Sequence, residues 1–170
     1  MWSIPNFGRY RDEMSLPEVV LHDPDYFFWA SDTCAFHKRG FPEAGGLAEK
    51  ARYIKIPKPD GEGWGVLYDF EPGTKIFNGF ELVQGPRAVE LLGEQYMWER
   101  PSYLDLSVVY KRKRHDKAGN ERLLRDFKLC YFGDQNMSLS REECEAFFDD
   151  AANFYEPPNL FCFFQRTCEE

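Results

Sequence analysis

Apolar and polar positions change period twice along this chain. Ser15-Leu16-Pro17-Glu18 sets a serine three residues before a glutamate, and Val19, Val20 and Leu21 follow as an apolar face. That is a capping box, with proline in a first turn that needs no amide donor. Asp23-Pro24 starts a second helix in the same way, through Tyr26, Phe27, Trp29 and Ala30. A third starts at Pro42, is weakened by Gly45-Gly46, and is firmest over 47–54. Beyond the turn-rich loop 57–63 the period drops to two. Residues 64–70 and 76–83 predict a β-hairpin turned at Pro72-Gly73. Residues 86–95 read as a helical turn or a strand-flanking loop. Residues 103–110 alternate Leu104, Leu106 and Val108, which predicts a third strand with Asp105 facing outward.

The helical period then returns. After a polar connection at 111–120, residues 121–132 repeat Leu123, Leu124, Phe127 and Tyr131 and stop at Gly133. This predicts a helix capped by Asn120, with a strand as the alternative. Ser140 and Glu143 form another capping box, with Cys144, Phe147 and Phe148 facing inward. Residues 159–165, after Pro157-Pro158, read as a short apolar strand or a docked tail. Helices, a small antiparallel sheet over 64–110, then helices over 120–150 predict a single compact α+β domain.

Composition sharpens this picture. A chain of 170 residues with 16 Phe and 9 Tyr suits one domain with a ring-built core. No apolar run approaches the length of a membrane span, and Met1–Met14 lacks the apolar stretch of a secretory signal. The five cysteines, Cys34, Cys130, Cys144, Cys162 and Cys168, are irregularly spaced. They read as reduced thiols in a cytoplasmic protein. The net charge of −8 is uneven: residues 103–132 carry 8 basic and 4 acidic side chains, and residues 133–170 carry 2 and 9. An acidic whole argues against loose, sequence-independent DNA binding but allows a focused contact.

Phe7-Gly8-Arg9-Tyr10-Arg11, then Asp23-Pro24, Tyr26 and Trp29, carry the clearest ordered pattern. In order and spacing they resemble the small C-terminal domain of exodeoxyribonuclease X-like proteins, over residues 4–32. The resemblance implies a docking role in nucleic-acid transactions. Where that family has Gly-Lys, this chain has Asp12-Glu13, so if the family's lysines touch a phosphate backbone, this chain has lost part of that contact. The exonuclease catalytic domain has no counterpart here, so nuclease activity does not carry over.

Two groups of residues are candidates for contact with nucleic acid or a partner. Tyr10 flanked by Arg9 and Arg11 combines a stacking ring with phosphate-binding cations. Lys111, Arg112, Lys113 and Arg114 form the basic run. The leading reading of the rings is structural, a mini-core with Tyr26 and Trp29 buried, to which the stacking surface is the alternative; the plain reading of the basic run is a solvated loop. Asp105 with Asp116, Asp126 or Asp134 would suit a Mg²⁺-dependent nuclease, but nothing in their spacing selects them. Cys162, Cys168 and His115 match no common zinc spacing, and His22 and His37 sit in no metal motif. The sequence therefore predicts no catalytic residue, no metal and no cofactor. It predicts a non-enzymatic accessory module with a protein partner, such as a nuclease or defence complex, and a place for nucleic acid. The alternative is a phage or mobile-element inhibitor or adaptor whose acidic tail mimics DNA. Oligomeric state is left open.

Overall fold

The computed structural model describes residues 1–58, 63–84, 96–101 and 103–156, with 96–101 described as backbone. The expectations for 86–95 and 159–165 lie outside the described residues.

The chain opens with a turn centred on Gly8 and enters α1 (Leu16–His22) and α2 (Pro24–Asp32). Glu18 reaches back to accept the Ser15 N–H at 2.7 Å, one arm of the expected capping box. Asp23 caps α2 by accepting the Tyr26 N–H at 3.1 Å, with Pro24 in the first turn. Gly8 has φ +78, and a Cβ there would overlap the Tyr26 hydroxyl. Only glycine lets the turn settle onto that ring. A 3₁₀ turn (His37–Arg39) leads to α3 (Glu43–Arg52).

Five short strands follow among the described residues. β1 (Ile54–Lys55) pairs antiparallel with β5 (Tyr103–Leu104). β2 (Trp64–Phe70) is the centre of an antiparallel sheet, with β3 (Phe77–Gln84) on one side and β4 (Tyr96–Pro101) on the other. The 64–70/76–83 hairpin is thus as expected, with a bulge at Asp69/Phe70. The third strand of this sheet is 96–101, not 103–110. Of 103–110, only Tyr103–Leu104 is strand, and the chain then turns into α4 (Val108–Arg112).

The reason lies in Asp105, which is 2 % exposed and not a surface charge. Its carboxylate accepts the Ser107 N–H at 2.8 Å, the Ser107 hydroxyl at 2.6 Å and Lys111 Nζ at 2.8 Å. Its own N–H donates to the buried Tyr68 hydroxyl at 2.9 Å. Those bonds bend the chain where alternation alone would extend it. Leu104, Leu106, Val108, Val109 and Tyr110 are all buried, so the alternation never marked one face.

Helix α5 (Lys117–Phe132) lies along β3. It begins before Asn120 because Asp116, not Asn120, caps it, accepting the Gly119 N–H at 2.9 Å. Two carboxylates, that cap and Asp126 within the helix, fasten it to the sheet. Asp116 accepts the Phe77 N–H at 3.4 Å and Asp126 accepts the Phe80 N–H at 3.1 Å. Helix α6 (Arg141–Asp149) carries the expected capping box and packs on α1. Phe127, Phe147, Phe148 and Phe154 meet edge-to-face or stacked at 5.4–5.5 Å. Phe27, Phe28 and Phe36 continue the rings under α2. The whole is a compact α+β domain, as the hydrophobic pattern implied.

Asp105→Ala is expected to cost about 2–4 kcal/mol, because it strips a buried acceptor from two donors and leaves Lys111 unpaired. Urea unfolding of the variant measures this. A loss below about 0.5 kcal/mol would be the signature of a surface charge instead.

Candidate functional site

Asp23 organises the N-terminal signature. Its Oδ2 accepts both Arg9 Nη1 and the Tyr10 hydroxyl at 2.7 Å, while Oδ1 caps α2. Burial, the hydrogen bond to Asp23 and its negative charge push the Tyr10 phenol up to about 12, so it stays protonated and donating. Arg9 also lies over the Tyr26 ring, 5.4 Å from its centroid.

The rings do not all form a mini-core. Trp29 is 40 % exposed and Tyr26 is half-buried, against the expectation that both are buried. Phe27, Phe28, Ala30 and Ser31 take the inward face of α2. Positions 26 and 29, three apart, share the outward one. Trp29, Tyr26, Tyr10 and His22 make a continuous surface row with successive centroids 5.9, 5.5 and 5.5 Å apart.

The row ends at a cavity of about 640 Å³ between the N-terminal turn, the α1–α2 junction and the start of α5. Arg9, Tyr10, His22 and Asp23 form one wall, and His115, Lys117, Asn120 and Glu121 another, with Asp25 between. His115 adopts a left-handed backbone, φ +61. It is held there by its N–H, which donates to Asp25 Oδ2 at 2.8 Å. That bond ties residues 90 apart in sequence. Burial pushes the Asp25 carboxyl above the usual range, and the His115 N–H only partly offsets this.

Of the residues singled out from sequence, Arg9 and Tyr10 line the cavity. Arg11 does not; it pairs with neighbouring Asp12 at 3.1 Å on the surface. Half of the basic run is helix and half is the turn that follows it. Lys111 and Arg112 end α4, Lys113 caps it, and Arg114 lies over the Tyr110 ring at 5.3 Å. Cations at a helix C-terminus meet the negative end of its dipole. The run stops one residue short of the cavity, which His115 and Lys117 reach instead. Asp25, His115, Asn120 and Glu121 share no mark in the sequence, because they come from segments that only the fold brings together.

The carboxylates suited by type to metal chemistry are scattered and engaged. Asp105, Asp116 and Asp126 hold backbone N–H groups as described above, and Asp134 accepts the Asn136 N–H at 2.9 Å. Among the described residues no three His, Cys, Asp or Glu side chains are placed to hold a metal ion. Cys162 and Cys168 lie outside them. Cys130 and Cys144 are free thiols, while Cys34 is disulfide-bonded, so the expectation of five reduced thiols does not hold. No helix among the described residues is long and apolar enough to cross a membrane. No family model, curated protein or solved structure matches the chain.

Asp23→Ala is expected to cost about 2–4 kcal/mol, since it removes a helix cap and two side-chain hydrogen bonds together. Arg9→Ala, on an exposed partner, should cost less than about 1 kcal/mol. Chemical denaturation of both variants tests the order.

Asp25 gives a pH signature. Between the ordinary aspartate value and its raised native value, the folded chain holds more proton than the unfolded chain. This contribution to stability is therefore present at low pH and lost as the pH rises through the native value. Asp25→Asn does not titrate. It should gain stability relative to the unmodified protein between about pH 4 and neutrality. Denaturant midpoints at the two pH values measure the change, and a constant difference would exclude a raised carboxyl.

Proposed function

We propose that this chain is a non-enzymatic binding module of nucleic-acid transactions that holds a single strand or a strand end. The observation that carries the reading is the surface row Trp29, Tyr26, Tyr10 and His22, with Arg9 laid over one ring and Lys117 and His115 at its far end. Bases of any sequence stack on such rings, and each stack contributes about 1–3 kcal/mol. Arg9 and Lys117 would supply phosphate contacts that weaken with salt. The resemblance of residues 4–32 to the exodeoxyribonuclease X-like C-terminal domain supports the same reading. It also favours a nuclease complex as the setting in which the strand is presented.

A second reading is an inhibitor or adaptor that occupies a nucleic-acid groove on a host nuclease or defence complex. Helix α6 favours it. Glu142, Glu143, Asp149 and Asp150 are exposed together on that helix and its C-cap, while Cys144, Phe147 and Phe148 turn inward. An exposed acidic face of this kind would suit a positively charged groove.

Fluorescence anisotropy with a labelled single-stranded oligonucleotide separates the two. Trp29→Ala should weaken binding by about 1–3 kcal/mol and leave the thermal melt nearly unchanged, because the ring is exposed. Replacing Lys113, Arg114 and Lys117 with Ala should reduce the slope of log affinity against log salt by about 0.7 for each phosphate no longer neutralised. An unmodified protein that binds no oligonucleotide at low salt would overturn the strand-binding reading and leave the acidic adaptor as the better one.

A further inference from the structure

A second cavity, of about 340 Å³, lies between α3, Trp2 and residues 151–156. Its walls are almost wholly apolar: Trp2, Gly46, Leu47, Ala151, Phe154 and Tyr155. The polar groups beside these walls are already used. The Trp2 indole N–H donates to Asp149 at 2.9 Å, Lys50 Nζ donates to the Phe148 carbonyl at 2.7 Å, and Glu49 accepts from Arg52. Glu43 and Glu156 are the other charges in the lining. Gly46 has open space where a Cβ would stand, so the α3 wall is low there. Such a lining suits apolar side chains. Residues 157–170 set out from its edge, because Tyr155 and Glu156 both line it. After Pro157-Pro158-Asn159 come five apolar residues in a row, Leu160-Phe161-Cys162-Phe163-Phe164. Leu160 is four residues beyond Glu156, a reach of up to about 13 Å. The α3 wall from Glu43 to Lys50 is about 10 Å long, so the run can reach all of it. The cysteines add an independent constraint. Cys34 is disulfide-bonded, whereas Cys130 and Cys144 are free thiols. Cys162 and Cys168, the two others in the chain, both follow Glu156.

We propose that this cavity is the seat of the chain's own residues 160–164, and that a disulfide from Cys34 to Cys162 or Cys168 latches the segment onto the domain. The apolar run covers Leu47, Phe154 and the Trp2 ring. It passes over α3 at Gly46, where no side chain stands in the way. Running toward the start of α3, it brings Arg166 to Glu43. A tether of a few residues holds the run at an effective concentration of about millimolar beside the cavity. A free apolar partner would have to displace it. A polar small molecule finds the donors of Trp2 and Lys50 already taken. Forming the latch removes two electrons and two protons from the paired thiols. A disulfide donor accepts them and leaves as two thiols. Cys34 follows the helix that carries the ring row, so the latch fastens the end of α2 to the segment after Glu156. The proposal does not draw on the strand-binding reading.

Photo-crosslinking of the full chain tests the seat. A benzophenone analogue of phenylalanine replaces Phe161, Phe163 or Phe164, one position per protein. After irradiation, mass spectrometry of the digest should find a crosslink within one chain to Trp2, Leu47 or Lys50 from at least one position. Gly46→Arg fills the cavity from an open helical site and should abolish that crosslink. Gly46→Ala gives α3 the same helical gain without the bulk and should keep it. A digest of the unmodified protein without reductant should join the Cys34 peptide to one that holds Cys162 or Cys168. Crosslinks only to other surfaces, crosslinks only between two molecules, or a crosslink unchanged in Gly46→Arg overturns the seat. Cys34 found unpaired, or joined to a second molecule, overturns the latch.

Discussion

One carboxylate, Asp23, holds the functional end of this molecule in shape. It caps α2, pins Arg9 and fixes the Tyr10 hydroxyl, all at hydrogen-bond distance. Without it the turn around Gly8 loses its ion pair and both side-chain hydrogen bonds to the helix pair. The ring row would then lose Tyr10, its link between His22 and Tyr26. Such a charge-assisted network is strong because the carboxylate meets a donor at each oxygen. It also explains why a glycine and a tyrosine must face each other there. The carboxylate can reach the turn only if the turn backbone lies directly against Tyr26.

The same device recurs through the fold. Asp25 holds the His115 N–H, Asp105 the Ser107 N–H, Asp116 the Phe77 and Gly119 N–H groups, and Asp126 the Phe80 N–H. In three of these residues the carboxylate reaches a segment at least 39 positions away. A chain with many short elements leaves many backbone donors outside helices and sheets, and buried donors must be met. Part of the acidic composition is therefore internal fastening and does not face a partner. The surface that remains is more sharply divided, with the cations near the α4–α5 turn and the acids along α6.

Elements with local chemistry are readable in the sequence. Capping boxes, Asp-Pro starts and the Pro-Gly hairpin each act within a few residues, so their patterns survive intact in the chain. What is not readable depends on distant partners. Leu104, Leu106 and Val108 alternate as a strand would, but Asp105 is drawn inward by Ser107 and Lys111 and bends the segment. Asp116 displaces Asn120 as a cap because its side chain also serves Phe77 across the sheet. The cavity is half legible. Arg9 and Tyr10 stand out as a cation-flanked ring, but Asp25, Asn120 and Glu121 carry no mark until α5 is placed beside α2. Trp29 reads as core because tryptophan is usually well buried, yet α2 has enough phenylalanine to fill its inward face without it.

The first and last described segments are fastened to each other. The Trp2 indole N–H donates to Asp149, Arg141 bonds both Glu18 and the Glu13 carbonyl, and the Tyr155 N–H meets the Tyr53 carbonyl. Contacts that span more than a hundred residues slow folding, because the loop must close before they form. During synthesis, at about 5–20 residues per second, the signature stretch emerges well before α6 and waits for it before its helices have a full packing partner. For those seconds its rings are exposed to any other apolar surface in reach. The signature is therefore not a detachable peptide. It is shaped by sequence synthesised long after it.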